Sequence, residues 1–275
     1  MHWFTIFLTL VGLVMQTASC SVVPATREEH PNPKVMVFDC NKVGEVCDNM
    51  CFGAQCAGWG RSFTWDKPSK QTSSRRSTLA GCGSGNRCKD HPYGDEYQCD
   101  EYPFKSVLEA KAGGQVNRCV PWRENNAQSQ TIKNFYYSLG KDFKDNKGKG
   151  CNKKSPCAFQ VGFKNAGNVQ YCNVNPDCRN DGNEYTKAGL FKTKRSITTG
   201  GGYYELENGD VIFSPVSLGE GSVAYMTVPR NTTLYDEHNM NHVPDPDQDD
   251  SQYDYMMDNL DLVELAIVKE VDGHK

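Results

Sequence analysis

The sequence predicts a disulfide-rich α+β fold, and three observations carry that expectation. Twelve of the thirteen cysteines fall between Cys40 and Cys178. Residues 98–140 read as strand, strand, helix, and the last third of the 275-residue chain reads as a series of short strands around turns.

In chain order, residues 3–15 are apolar apart from Thr5, Thr9 and Gly12, which is short of the roughly 20 residues of a membrane-spanning helix. Thr17, Ala18 and Ser19 follow, as small residues follow the apolar region of a secretory signal peptide, so residues 1–20 are expected to be removed. Cleavage after Cys20 or Ala25 leaves an even number of cysteines. The oxidising compartment then implies disulfides. A zinc site is the competing reading, since Cys47-x3-Cys51 and Cys51-x4-Cys56 approach ligand spacing, but the remaining cysteines are irregularly spaced. The pairing cannot be read from sequence.

Residues 21–34 form a polar, Pro-containing linker, and the apolar run at 35–38 is a strand that opens a domain expected to span 35–195. Residues 67–77 have no apolar periodicity and read as an exposed loop, whose Arg75-Arg76 pair is either a processing site or solvated charge. Gln98 to Tyr102 is a strand end, Gly113-Gly114 a turn, and Gln115 to Val120 a second strand. Ile132, Phe135, Tyr136 and Leu139 then share one helical face, with Gly140 placed to end the helix. Residues 141–154, with six lysines, form a basic insertion, and 158–163 resume as a strand.

The region 196–275 is expected to be β-rich. Asn208-Gly209 between two apolar runs is the strongest hairpin signal in the chain, and 222–228 and 262–268 supply further strands. Asn231-Thr232-Thr233 is a glycosylation sequon, and 245–261 is an acidic run containing Tyr253 and Tyr255. No internal repeat is visible.

The net charge of −4 conceals a division: residues 236–275 carry twelve carboxylates against Lys269 and Lys275, which leaves the preceding body at +6. A basic body suits a polyanionic partner such as nucleic acid, or is ordinary solubilising charge.

Oxygen-bearing side chains gather at Asp100-Glu101 before Tyr102-Pro103, and again at Glu124-Asn125. Phosphodiester hydrolysis needs a group that activates water and a cation that offsets developing charge, and hard divalent cations take oxygen ligands. The plainer readings stand beside this one. An Asp-Glu pair is commonly solvated surface, and Asn125 or Asn126 before a helix is commonly an N-cap. His91, the histidine nearest these residues, reads as surface.

Cys99-Asp100-Glu101-Tyr102-Pro103-Phe104, followed by Gly113-Gly114, Arg118-Cys119-Val120-Pro121, Glu124-Asn125, Gln128 and Phe135-Tyr136, resembles the NucA/NucB deoxyribonuclease domain in the form found in secreted fungal proteins. Phe38-Asp39-Cys40, Cys47-x3-Cys51, Thr64-Trp65-Asp66-Lys67-Pro68 and Ala80-Gly81-Cys82-Gly83 extend the resemblance upstream. It implies a ββα-metal nuclease core in a secreted, metal-dependent endonuclease that cuts DNA with little sequence preference. RNA is a second candidate substrate, no membrane partner is expected, and the oligomeric state is left open.

The resemblance also assigns roles. Asp100 or Glu101 is the general base, Asn125 and Glu124 hold Mg²⁺ or Mn²⁺, and Glu124 and Gln128 belong to the catalytic set. Lys105, Lys133 and Lys144 are expected to contact the phosphate backbone. The chain departs from the family at Gln128-Ser129, where Gln-Gly is common, and at Arg123, where a small residue is common. The alternatives are a catalytically inactive, disulfide-rich secreted binding protein on the same scaffold, and a cell-wall-associated structural protein.

Overall fold

The computed structural model describes residues 33–59, 62–138, 149–192, 200–219, 221–229 and 260–272. All belong to one compact unit, Pro31–Lys275. In chain order the elements are β1 (Lys34–Asp39), α1 (Gly44–Cys51), β2 (Phe63–Trp65), α2 (Lys70–Ala80), β3 (Tyr97–Tyr102), β4 (Val116–Pro121), α3 (Trp122–Tyr137) and β5 (Cys157–Lys164). Then come β6 (Tyr185–Thr186), β7 (Gly189–Leu190), β8 (Gly202–Leu206), β9 (Val211–Ser214), β10 (Val223–Pro229) and β11 (Leu260–Val271). The fold is α+β, as expected. Lys34, assigned to the linker, opens β1.

The larger sheet runs β1-β10-β11-β8-β9-β5-β2, and β5 also pairs with β1 in parallel, so six of its strands close on themselves like a barrel. Strand alternation divides its side chains. Val35, Val37, Leu206, Ile212, Ala224 and Leu265 share one apolar cluster. Met36, Phe38, Phe159, Val161, Phe163 and Tyr225 turn the other way and join the core beneath the helices. Gly162 faces the first set, where a Cβ would stand 3.0 Å from Val35 and 3.2 Å from Ile212. The expected Asn208-Gly209 hairpin is the β8–β9 pair, with Gly209 at φ +84°. Strands from 202–271 thus share one sheet with β1 and β5.

The smaller sheet runs β3-β4-β6-β7. Its β3–β4 hairpin leads without a loop into α3, which packs on the barrel through Phe135 against Tyr225, 5.5 Å between ring centroids. Trp65 of β2 stacks on Tyr136 at 4.6 Å. The strand, strand, helix order expected for 98–140 is therefore present.

All twelve cysteines from Cys40 to Cys178 are bridged: Cys40–Cys47, Cys51–Cys172, Cys56–Cys178, Cys82–Cys99, Cys88–Cys119 and Cys151–Cys157. The zinc reading is excluded on these residues.

Three local expectations are corrected. The exposed loop assigned to 67–77 is largely α2. Its weak apolar pattern hid it, but its ends are chemically marked: Ser69 Oγ accepts from the Thr72 amide at 3.2 Å, and Gly81 ends the helix at φ +93°. Arg76 is buried and donates to both Asp66 carboxylate oxygens, at 2.8 and 2.6 Å, so the Arg75-Arg76 pair is neither a solvated loop nor an open processing site. Finally, α3 begins at Trp122 and ends at Ser138, φ +51°, earlier than the expected stop at Gly140. Residues 1–32, Leu139, Gly140, most of the basic insertion, the sequon and the acidic run lie outside the described residues.

Candidate active site

The β3–β4 hairpin is in register from Tyr97 opposite Pro121 to Tyr102 opposite Val116. Cys99 and Cys119 face each other across it, yet each bridges away, to Cys82 and Cys88. The two acidic segments are joined by strand pairing, and the disulfides staple one face of the hairpin to the 82–88 segment. Alternation turns Gln98, Asp100 and Tyr102 to the opposite face, which α1 and α3 cover.

Asp100 is 3% exposed. Asn49, buried in α1, donates through Nδ2 to Asp100 Oδ2 at 2.8 Å and to the Asp100 carbonyl at 3.1 Å. Gln128 lies beside Asp100 from the second turn of α3. Burial pushes the Asp100 carboxyl up to about 7; the Asn49 and Gln128 amides and Lys105 oppose that rise, and Glu101 adds to it. Asn49 Oδ1 is itself buried without a hydrogen-bond partner among the described residues. Sequence reasoning missed Asn49, which sits amid core positions of a short helix and carries no signal beyond being polar.

Glu124 and Asn125 occupy the first turn of α3. The N-cap is Pro121, which corrects the expectation that these residues precede the helix and excludes the N-cap reading of Asn125 and Asn126. Glu124 Oε2 accepts from the backbone amides of Glu45, at 2.8 Å, and Val46, at 3.4 Å, and so caps the start of α1. Burial raises its carboxyl from the ordinary value, and those two amides offset part of the rise. Asn125 Nδ2 donates to Gln98 Oε1 at 2.7 Å. Asp100 and Gln128, both buried, and Glu124 and Asn125 therefore lie at the junction of β3, α1 and α3.

Glu101 turns away from that junction. It stands opposite Asn117 on the disulfide-stapled face, also buried, with its carboxyl raised by burial and stabilised by Lys105. Lys105 is exposed, just beyond the end of β3, and Lys133 lies on α3. Lys144 lies outside the described residues.

Residues 50–146 match the family model described as deoxyribonuclease NucA/NucB. That segment is matched as a NucA/NucB-type deoxyribonuclease domain. No curated protein and no solved structure matches the chain. The matched segment contains β3, β4 and α3, and hence Asp100, Gln128, Glu124 and Asn125. It begins one residue after Asn49, so most of α1, the element that bonds both Glu124 and Asp100, precedes it.

The fold also holds a charge cluster that sequence reasoning did not find. Arg118 of β4 is buried and donates to Glu45 Oε2 at 2.6 Å, Asp181 Oδ2 at 2.8 Å and Glu184 Oε1 at 2.9 Å. The cluster ties α1 and the 181–184 segment to the hairpin. Signals for it are absent because its members are up to 139 residues apart, Glu45 to Glu184.

The expected metal can be tested against these donors. Among the described residues no three His, Cys, Asp or Glu side chains converge as a metal cage. Glu124 commits Oε2 to the α1 amides and Asn125 commits its nitrogen to Gln98, which leaves Glu124 Oε1 and the Asn125 amide oxygen as the remaining hard donors. Such a sparse oxygen set fits an ion like Mg²⁺, which keeps several waters and takes few protein ligands. The six disulfides suit an oxidising compartment. Among the described residues no helix is long and apolar enough to cross a membrane.

Proposed function

We propose that the protein is a secreted, metal-dependent endonuclease that hydrolyses DNA phosphodiester bonds with little sequence specificity, and that β3, β4 and α3 are its ββα-metal core. The carrying observation is the buried Asp100, held by Asn49 of α1, the helix whose first-turn amides hold Glu124.

Asp100 is the general base. Its carboxyl, pushed up to about 7, holds the ionised form near neutrality while accepting a proton more readily than an ordinary aspartate. Glu124 Oε1 and the Asn125 amide oxygen hold Mg²⁺ or Mn²⁺. When bound, the divalent ion offsets the charge that builds on the phosphoryl and leaving oxygens. Gln128 presents its amide to the Asp100 carboxylate and favours its ionised form. Glu101 supports the strand end from the far face. Lys105, Lys133 and Lys144 contact the DNA backbone, a sequence-independent contribution. RNA offers the same phosphodiester chemistry as a second substrate.

Incubation of the full secreted chain with plasmid DNA, with and without EDTA, tests the reading. Mg²⁺-dependent nicking that EDTA abolishes is the expected result. DNA binding without cutting would identify the inactive binding protein on the same scaffold.

A further inference from the structure

We propose that Asn49 is the positioning residue of the site, fixing the Asp100 carboxylate through its amide while the first turn of the same helix fixes Glu124. The proposal rests on the nuclease reading above and assigns a role to a segment that precedes the family match.

Glu45 and Asn49 are four residues apart and share one face of α1. At one end of that face the Glu45 and Val46 amides bind Glu124 Oε2; at the other the Asn49 side chain binds Asp100. Asn49 Nδ2 reaches both the Asp100 carboxylate and the Asp100 carbonyl, so it sets the side chain relative to its own strand and does not merely touch it. Its amide oxygen is buried and unpartnered, and both of its hydrogen bonds go to Asp100. A fully buried amide with half of its hydrogen-bonding capacity unused is costly to the fold, which is a pattern expected where a side chain serves a site.

The helix is well anchored for this purpose. Cys47 is bridged to Cys40 and Cys51 to Cys172, and Arg118 grips Glu45. With α1 fixed, the carboxylates of β3 and α3 keep their relative orientation before substrate arrives, the preorganisation that catalytic geometry requires.

The test uses the full chain, Mg²⁺ and plasmid DNA. Asn49→Leu removes the donor while keeping the same heavy-atom skeleton, and Asn49→Asp keeps the shape but replaces the donor with an acceptor. Each is expected to fold, to lower kcat by about 10- to 100-fold as outer-sphere variants of such sites do, to leave KM for DNA unchanged, and to move the acidic limb of the rate profile to higher pH. Wild-type kcat and an unmoved pH profile in either folded variant would overturn the proposal. So would failure of both variants to fold, which would make Asn49 structural. Asp100→Asn, run in parallel, separates the two readings: full activity there removes Asp100 as base, whereas an inactive Asp100→Asn beside a fully active Asn49→Leu removes only the role of Asn49.

Discussion

Asp100 and Arg118 stand opposite each other across the β3–β4 ladder, yet Arg118 directs its guanidinium to Glu45, Asp181 and Glu184. The consequence lies in the Asp100 carboxyl. An arginine bound to it would hold it in the low carboxylate range. With the guanidinium engaged elsewhere, burial dominates and pushes Asp100 up to about 7.

The first prediction concerns pH and activity. A base must be deprotonated, so cleavage should rise with pH through about 7 and fall toward tenfold per unit below it. The measurement is kcat/KM across pH 5 to 9 at saturating Mg²⁺. A flat profile down to pH 5 would contradict Asp100 as base.

The same shift has a stability sign. Because the folded value is above the ordinary 3.8, the protonated form is favoured by folding; that contribution is complete below about 4 and is lost as pH rises through about 7. Asp100→Asn should therefore raise the melting temperature at pH 8 and change it little at pH 4, while abolishing most cleavage. A lower melting temperature at pH 8 would show that the ionised carboxylate contributes to the fold.

The adjacent acids should differ. Asp100→Asn is expected to cost at least about 100-fold in kcat, the scale of a missing general base. Glu101→Gln, on the opposite face of β3, should remain within a few-fold of wild type. Initial rates on plasmid DNA decide it, and equal loss in both variants would place Glu101 in the chemistry.

Much of this arrangement was legible in sequence where the signals are local. The Asn208-Gly209 hairpin, the 98–140 order and the acidic pair before Tyr102-Pro103 all depend on near neighbours. The parallel pairings of β1 with β5 and β10 do not, because strands more than 100 residues apart carry no mark of their partner. The α2 helix escaped for a different reason: it buries Arg76, Ser77 and Ala80, so its inward side is mostly polar and only its caps betray it. The roles of Asn49 and Arg118 were not legible because they exist only once α1 lies across the hairpin.

Arg118 gives a stability prediction. Arg118→Met leaves Glu184, fully buried, and Asp181 and Glu45 without their shared cation. Removing one member of a buried ionic group costs about 3–5 kcal/mol. Denaturant unfolding should show that loss, and Arg118→Lys should recover little of it, since a lysine cannot hold several carboxylates in a planar fork. Unchanged stability in Arg118→Met would mean the cluster is solvated.

The last prediction concerns Gly53, in the π-helical turn Phe52–Cys56 that continues α1. A Cβ there would lie 2.4 Å from Tyr102 Cδ1 and 3.0 Å from Val116 Cγ2. Both belong to the face of the hairpin that carries Asp100, and the Tyr102 ring is fully buried against Phe63 and Phe104, so it has nowhere to move. Gly53→Ala should therefore cost about 1–3 kcal/mol through overpacking, and the strain should displace β3 relative to α1 and lower kcat as well. Gly44→Ala, at the half-buried start of α1 with open space where its Cβ would stand, is the control and should leave both quantities near wild type. Thermal melts and plasmid cleavage rates on the pair separate the effect of crowding from that of altered helix propensity. A Gly53→Ala protein as stable and as active as the control would show that the helix-to-hairpin contact is loose.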